Sequence, residues 1–295
     1  MSKKPARSHA MGPKKSKSSH FQRSPHTGHQ AVTPSAVRLP GTDKSLGQHW
    51  LSSPSVIQKI VDRADGLAGI LEVGPGPGIL TEPLSQIAEV TAVEFDKRII
   101  DSLQAAAPQA KIIQGDALET DLAQILEQLP SPRGIVSNMP YHITGPLLES
   151  FSNLRHQVSR MILMMQLEVG EKIMAPVGDR RRGVLSVAMQ SLFTVTKVVK
   201  VPPGAFRPPP KVDSIVLELT PRDDVPVDFE GVMQVVRRAF SHPRKTVLNN
   251  LKPTLEVASL ERVLVDAGLT TTIRPHEITF EQWRLIAQHA QRRSD

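Results

Sequence analysis

The residues Asn138-Met139-Pro140-Tyr141 put an amide oxygen and the chain's only tyrosine on one proline-stiffened loop. The amide oxygen can accept a hydrogen bond from an amine, and the tyrosine ring can stack on a base. The loop follows Gly134-Ile135-Val136-Ser137, a run that reads as a buried strand. Two acids hold similar positions. Glu94 closes Val90-Thr91-Ala92-Val93, and Asp116 follows Lys111-Ile112-Ile113-Gln114 and Gly115. Open α/β sheets bind ligands beyond the carboxyl ends of their strands, which is where all three runs deliver these side chains. Glu94 can accept from two ribose hydroxyls or be a solvated strand-end acid. Asp116 can accept from an exocyclic amine or serve only as a turn aspartate beside glycine.

The element that must organise them is Gly69–Val73, a short apolar strand that runs into Gly74, Gly76 and Gly78. Ile79, Leu80, Leu84 and Ile87 then fall at the spacing of one helical face. Strand, glycine turn and helix open a nucleotide-binding βαβ unit, although glycine-rich turns also occur in ordinary loops. Glu94 lies twenty residues after Gly74, the offset at which such a unit sets an acid against ribose. The glycine pattern differs from the Gly-x-Gly-x-x-Gly of dinucleotide sites, and no dehydrogenase acid–base pair follows. S-adenosylmethionine has no pyrophosphate and needs close backbone approach more than a helix dipole, so a methyl donor is favoured over a nicotinamide. No metalloprotease, P-loop, nucleophile-elbow or metal-spaced His/Cys signature is present, so no metal is expected.

The rest of the chain supplies the frame. Ser53-Pro54 with Ile57, Ile60, Val61 and Ala64 reads as a capped helix. His49 and Trp50, just before it, are packing residues or ligands. Met161–Met165 reads as a strand followed by a helix over Gln166–Met174. Arg180-Arg181-Arg182 is a phosphate clamp or a solvated basic loop. Val195–Val201 and Ser214–Leu219 predict an antiparallel closing pair, joined by the proline-rich Pro202–Pro210. Phe206 in that loop either packs it down or covers a flat ligand. From Asp223 the pattern is helical, with Val232, Val235, Val236, Ala239 and Phe240 on one face. Gly268 reads as a helix stop, and Thr279-Phe280-Glu281-Gln282 as a capping box for a last helix. Arg237, Arg238, Arg244 and Lys245 are candidate phosphate contacts of a small helical RNA-binding domain over 223–295. An α/β domain over 43–222 precedes it.

Residues 1–42 hold eight of the 36 Lys and Arg and no acid, which leaves 28 basic and 29 acidic residues in the remainder. The formal net charge of +7 therefore belongs to the tail. Its composition predicts disorder. It is a basic arm for RNA, a solvated or misassigned start with Met11 as the alternative, or an organelle presequence. The chain has no cysteine, no secretory signal and no apolar run near the roughly 20 residues of a membrane span. A cytoplasmic monomer without a membrane partner is the expectation.

Asn138-Met139-Pro140-Tyr141 resembles the Asn-Leu-Pro-Tyr motif of the ribosomal RNA adenine N6,N6-dimethyltransferases, the KsgA family. Gly47-Gln48-His49-Trp50-Leu51 is similar to that family's opening motif, with Trp50 for the usual Phe. Pro208-Pro209-Pro210-Lys211-Val212-Asp213-Ser214 and Arg244-Lys245-Thr246, with Asn249 and Leu251, match as well, in the same order over residues 44–290. The resemblance implies a Rossmann-like methyltransferase domain with a small C-terminal helical domain, and S-adenosyl-L-methionine as cofactor. It implies that His49 and Leu51 lie against the cofactor, that Gly74 approaches its methionine part, and that Glu94 binds ribose. Asp116 then binds the adenine amine, and Asn138 borders both cofactor and target base. The implied substrate is a pair of adjacent adenosines near the 3′ end of small-subunit ribosomal RNA, each methylated twice, in an immature small subunit. Asn138 and a carbonyl near Pro140 would accept from N6, Tyr141 and Phe206 would stack on the base, and Arg244 and Lys245 would hold phosphates. The Erm methylases of large-subunit RNA share the core motifs and are the alternative, as is an assembly factor with secondary catalysis.

Overall fold

Alternation within the apolar runs sets the layers of the fold. The structure, a computed structural model, describes Met1, Gly41 and residues 48–225, 227–253 and 256–291. Most of the basic tail, and residues 42–47 with Gly47, lie outside the described residues. Successive side chains of a strand point to opposite faces of its sheet. In Gly69–Val73, Leu71 and Val73 join an apolar cluster with Leu126, Leu147 and Phe151. Ile70 joins a second cluster with Ile57, Ile60 and Leu84. A strand buried on both faces needs helices on both sides, as in a parallel sheet.

In chain order the elements are β1 (Trp50–Leu51), α1 (Pro54–Ala64), β2 (Gly69–Val73), α2 (Thr81–Leu84) and β3 (Glu89–Glu94). Then come α3 (Ile100–Ala106), β4 (Lys111–Gln114), α4 (Leu122–Gln128), β5 (Arg133–Asn138), α5 (Thr144–Asn153) and β6 (Arg160–Gln166). They continue as α6 (Leu167–Met174), α7 (Val184–Leu192), β7 (Phe193–Val201), β8 (Phe206–Arg207) and β9 (Ser214–Pro221). Helices α8 (Phe229–Ala239), α9 (Val247–Leu251), α10 (Val257–Asp266) and α11 (Phe280–Gln291) close the chain.

Among the described residues, seven strands form one sheet in the order β4-β3-β2-β5-β6-β9-β7. β2 is parallel to both β3 and β5, so sheet growth reverses between them. This is the topological switch point, where ligands of such sheets bind. There the Ser137 hydroxyl donates to the Val73 carbonyl at 2.7 Å, tying the two strand ends together. β7 and β9 form the expected antiparallel pair, and β9 also pairs antiparallel with β6.

Three details depart from the sequence expectations. α2 is a single turn; Ile79 and Leu80 are buried ahead of it, and the Ser85 hydroxyl bonds back to the Thr81 carbonyl at 2.7 Å. Such a local bond competes with helix propagation. α7, between the arginine loop and β7, was not anticipated. The arginine triplet is chiefly structural: Arg181 pairs with Asp179 (2.7 Å) and Glu171 (3.3 Å), and buried Arg182 donates to the Ala175 carbonyl and to Gln190.

α8, α9, α10 and α11 gather a third cluster around Trp283, with Val232, Val236, Leu260 and Leu264, and Val187 of α7 packs into it. The capping box is formed: the Gln282 N–H donates to Thr279 Oγ1 (3.2 Å) and the Thr279 N–H to Gln282 Oε1 (3.0 Å). Gly268 has a φ of +71° just past α10, as a helix-stopping glycine requires.

Candidate functional site

The glycine turn opens a cleft above the switch point because its three glycines all take positive φ: +70° at Gly74, +60° at Gly76 and +94° at Gly78. These are conformations that side-chain-bearing residues avoid. At Gly76 space is limiting too. A Cβ there would sit 2.6 Å from Cζ3 of Trp50, so the indole lies directly on the turn. Trp50 thus packs on the turn and, with His49 and Leu51, lines the cleft.

The cleft, a cavity of about 260 Å³, brings together His49, Leu51, Gly74, Glu94, Asp116, Asn138, Pro140 and Tyr141. Glu94, at the end of β3, is buried, and both its oxygens are aimed by backbone donors. The Gly76 N–H donates to Oε2 at 3.0 Å and the Asp96 N–H to Oε1 at 2.8 Å. Burial nonetheless raises its pKa above the usual carboxylate value, and those two N–H groups pull the other way. Each oxygen keeps a lone pair for a further hydroxyl. Beside it, Asp96 is held well below the usual range by the Arg98 guanidinium, and Gln48 Nε2 donates to it at 2.9 Å. Asp116 is a turn aspartate that also faces the cleft. Its Oδ1 accepts from the Leu118 N–H at 2.8 Å in a turn, while the residue lines the cleft.

Asn138 ends β5, and among the described residues its side-chain amide has no hydrogen-bond partner. The backbone around it is fixed: the Met139 N–H donates to the Met164 carbonyl at 3.0 Å. Tyr141 stands next to it. Its hydroxyl and the buried Ser214 Oγ are 2.7 Å apart, and burial raises its pKa. Its ring stacks on His49, with centroids 6.0 Å apart and planes at 29°. His49 Nδ1 lies 2.8 Å from the Pro208 carbonyl, which only accepts, so Nδ1 carries the proton.

One expectation is corrected. Phe206 is 2% exposed: it forms β8, pairs with Leu51 of β1 and packs in the core, so it supports the cleft wall and does not reach a base. The carbonyl of Pro140 itself already accepts from the Ile143 N–H and the Thr144 hydroxyl, each at 3.2 Å, whereas Asn138 Oδ1 carries no such bond among the described residues. Arg244 and Lys245 lie outside the cleft, exposed, on the turn before α9. Asn250 holds that turn, donating from Nδ2 to the Ala239 (2.6 Å) and His242 (3.1 Å) carbonyls. Arg237 pairs with Glu230 at 2.6 Å. Sequence reasoning missed Phe95, a cleft-lining aromatic that is 58% exposed. Its signal was an aromatic directly after the strand-end acid.

Among the described residues the lining contains Glu72, Glu94 and Asp116 and no Lys or Arg. Such a cleft repels a pyrophosphate and suits a cationic ligand with hydroxyl and amine donors. S-adenosylmethionine, with its sulfonium, ribose and adenine, fits these donors and acceptors and the open glycine turn. The fold and cleft define an S-adenosylmethionine-dependent methyltransferase.

Comparison with known proteins narrows the class. The family model for ribosomal RNA adenine dimethylase matches residues 41–292. "Ribosomal RNA small subunit methyltransferase A" of Synechococcus sp. (strain RCC307) is 40% identical over 263 residues, covering 83% of this chain and 94% of that protein. The protein of the same name from Thermosynechococcus vestitus is 36% identical over 257 residues, covering 83% and 95%. A dimethyladenosine transferase from Plasmodium falciparum superposes with a TM-score of 0.71 at 25% identity over 83% of this chain and 98% of that one. The 23S rRNA methyltransferase ErmE gives 0.65 at 25% identity over 82% and 99%. The chain belongs to the ribosomal RNA adenine dimethylase family and is an enzyme acting on ribosomal RNA. Among the described residues no helix is long and apolar enough to cross a membrane.

Proposed function

We propose that this enzyme dimethylates N6 of two adjacent adenosines near the 3′ end of small-subunit ribosomal RNA, acting as a monomer on an immature small subunit in the cytoplasm. The observation that carries the chemistry is the unengaged amide of Asn138, set beside the Tyr141 ring in the cofactor cleft. The small-subunit choice is supported by the names and full-length coverage of the bacterial relatives. The bound cofactor supplies an electrophilic methyl group. Glu94 accepts from its ribose, Asp116 from its adenine amine, and Phe95 packs on the ring.

Adenine N6 is a weak nucleophile because its lone pair is delocalised into the ring. Asn138 Oδ1 accepts one N6–H bond, which favours a pyramidal nitrogen facing the methyl donor. Tyr141 stacks on the extruded base. Positioning and electrostatics provide the rate, with no general base required before transfer; the N6 that has gained the methyl is cationic and then loses one proton to solvent. After the first transfer one N–H remains, and Asn138 can hold it for the second. Arg244 and Lys245, on the C-terminal helical region, hold RNA phosphates.

Stacking on Tyr141 is worth about 1–3 kcal/mol, so Tyr141→Ala is expected to lower kcat/KM about 10–100-fold. Tyr141→Phe keeps the ring and loses one hydroxyl bond to Ser214, worth about 1 kcal/mol, so about fivefold is expected. Equal losses in the two variants would show that the hydroxyl, not the stacked ring, is what matters. The reading as a whole is tested by transfer of labelled methyl groups to undermethylated ribosomal subunits, with mass mapping of the modified nucleotides. Dimethyladenosine near the small-subunit 3′ end is expected. Transfer confined to large-subunit RNA would overturn it in favour of Erm-type chemistry.

A further inference from the structure

Glu72 is a buried strand carboxyl whose chemistry the mechanism above leaves idle. It is the fourth of the five residues of the otherwise apolar β2, two residues before Gly74, and is 1% exposed. It nevertheless lines the cofactor cleft, and among the described residues its Oε2 meets no partner in hydrogen-bonding geometry, the Thr81 hydroxyl facing the carboxyl without closing a bond to that oxygen. A buried, unpartnered carboxylate oxygen is disfavoured unless a cation or a proton compensates it. Among the described residues no cation is at hand, since no Lys or Arg of theirs lines the cleft. The groups that face Glu72 are the Thr81 hydroxyl on α2 and the carboxylate of Glu94 on β3. His49, His142, Asp116 and Tyr141 complete the ionisable lining. Burial, with some repulsion from Glu94, pushes the Glu72 carboxyl up to about 8. Without cofactor it therefore holds a proton at neutral pH.

The methyl donor brings what the cleft lacks. S-adenosylmethionine carries a sulfonium and an ammonium against one carboxylate, a net charge of +1. S-adenosylhomocysteine, left after transfer, has a neutral thioether and no net charge. We propose that Glu72 makes the cleft charge-selective: it releases its proton to solvent when the sulfonium form docks, and takes one back from solvent once the thioether has formed. The ionised carboxylate then favours the methyl donor, and the reprotonated one no longer holds the spent cofactor as tightly. No bond to Glu72 is made or broken in the transfer. The proton lost from adenine N6 is a separate one.

The sign follows from linkage. Below about pH 8 docking must expel a proton, so affinity for S-adenosylmethionine rises with pH, by up to tenfold per unit, and levels off above. The test is calorimetric titration of the full-length protein with each of the two molecules, in buffers of different ionisation enthalpy, at pH 7. About one proton released per S-adenosylmethionine is expected, and less than half that for S-adenosylhomocysteine. Glu72→Gln, which mimics the protonated carboxyl, should release none and should lose the pH dependence. Its preference for the methyl donor over the thioether should shrink about tenfold. Equal release with both molecules by the unaltered protein would overturn the proposal without any variant, as would release that persists in Glu72→Gln. The inference rests on the cofactor assignment, and a different result, no binding of either molecule, would overturn that assignment.

Discussion

Asn138→Ala is expected to slow methyl transfer by about 10²–10³-fold while cofactor and RNA affinities stay within about threefold. The size follows from the position of the amide. It stands at the carboxyl end of β5, on a backbone pinned by the Met139-to-Met164 bond, and among the described residues it is not consumed by any bond. An acceptor held this way needs no reorganisation as charge develops on N6, which is the condition for large electrostatic effects. The Pro140 carbonyl is a poorer substitute, since it already accepts from the Ile143 N–H and faces the Thr144 hydroxyl. Removing the side chain also leaves no buried group orphaned, so stability should be nearly unchanged. Single-turnover kinetics with separately measured binding would decide the matter. Turnover within tenfold of the unaltered enzyme would sink the role given to Asn138.

Glu94→Ala is the second large effect, and it falls on binding. The substitution removes the acceptors for ribose and strips partners from two backbone donors, Gly76 N–H and Asp96 N–H. Each orphaned donor carries a penalty of about 1–3 kcal/mol. A loss of cofactor affinity of about 100-fold or more is expected, with a loss of stability of about 2 kcal/mol from the loosened glycine turn. Glu94→Gln should be intermediate. Its amide oxygen satisfies one N–H, but its NH₂ then faces the other, donor against donor. Calorimetric titration of the cofactor and thermal unfolding read both effects. Cofactor affinity within threefold of normal in Glu94→Ala would remove Glu94 from the ribose site.

Much of this site was legible because its residues sit where local sequence rules are strong. The runs before Gly74, Glu94, Asp116 and Asn138 are short, apolar and bounded by turn residues, so strand ends could be placed from spacing alone. What was not legible depends on distant packing. Phe206 looked available in a proline-rich loop, but its environment is set by Leu51, far away in sequence. α7 mixes serine and apolar residues with no polar face, because Val187 must pack toward the C-terminal cluster while Met189 and Leu192 pack into the sheet's core. The sheet position of β9, between two strands that precede it, is a non-local pairing that no periodicity encodes. Glu72 reads as an ordinary member of a strand. Only the fold reveals that it is buried and that one of its oxygens lacks a partner among the described residues.

The wall of the cleft that carries His49 and Trp50 is fastened to a segment 159 residues further on, where His49 meets Pro208. Trp50 and Leu51 pair with Arg207 and Phe206 in the same small sheet. During translation at about 5–20 residues per second, the second half of this clasp emerges about 8–30 s after the first. For that interval the nascent glycine turn, already synthesised, has no indole above Gly76 and no histidine beside the tyrosine loop. This wall of the cleft is therefore completed late in synthesis, once the proline-rich segment has emerged.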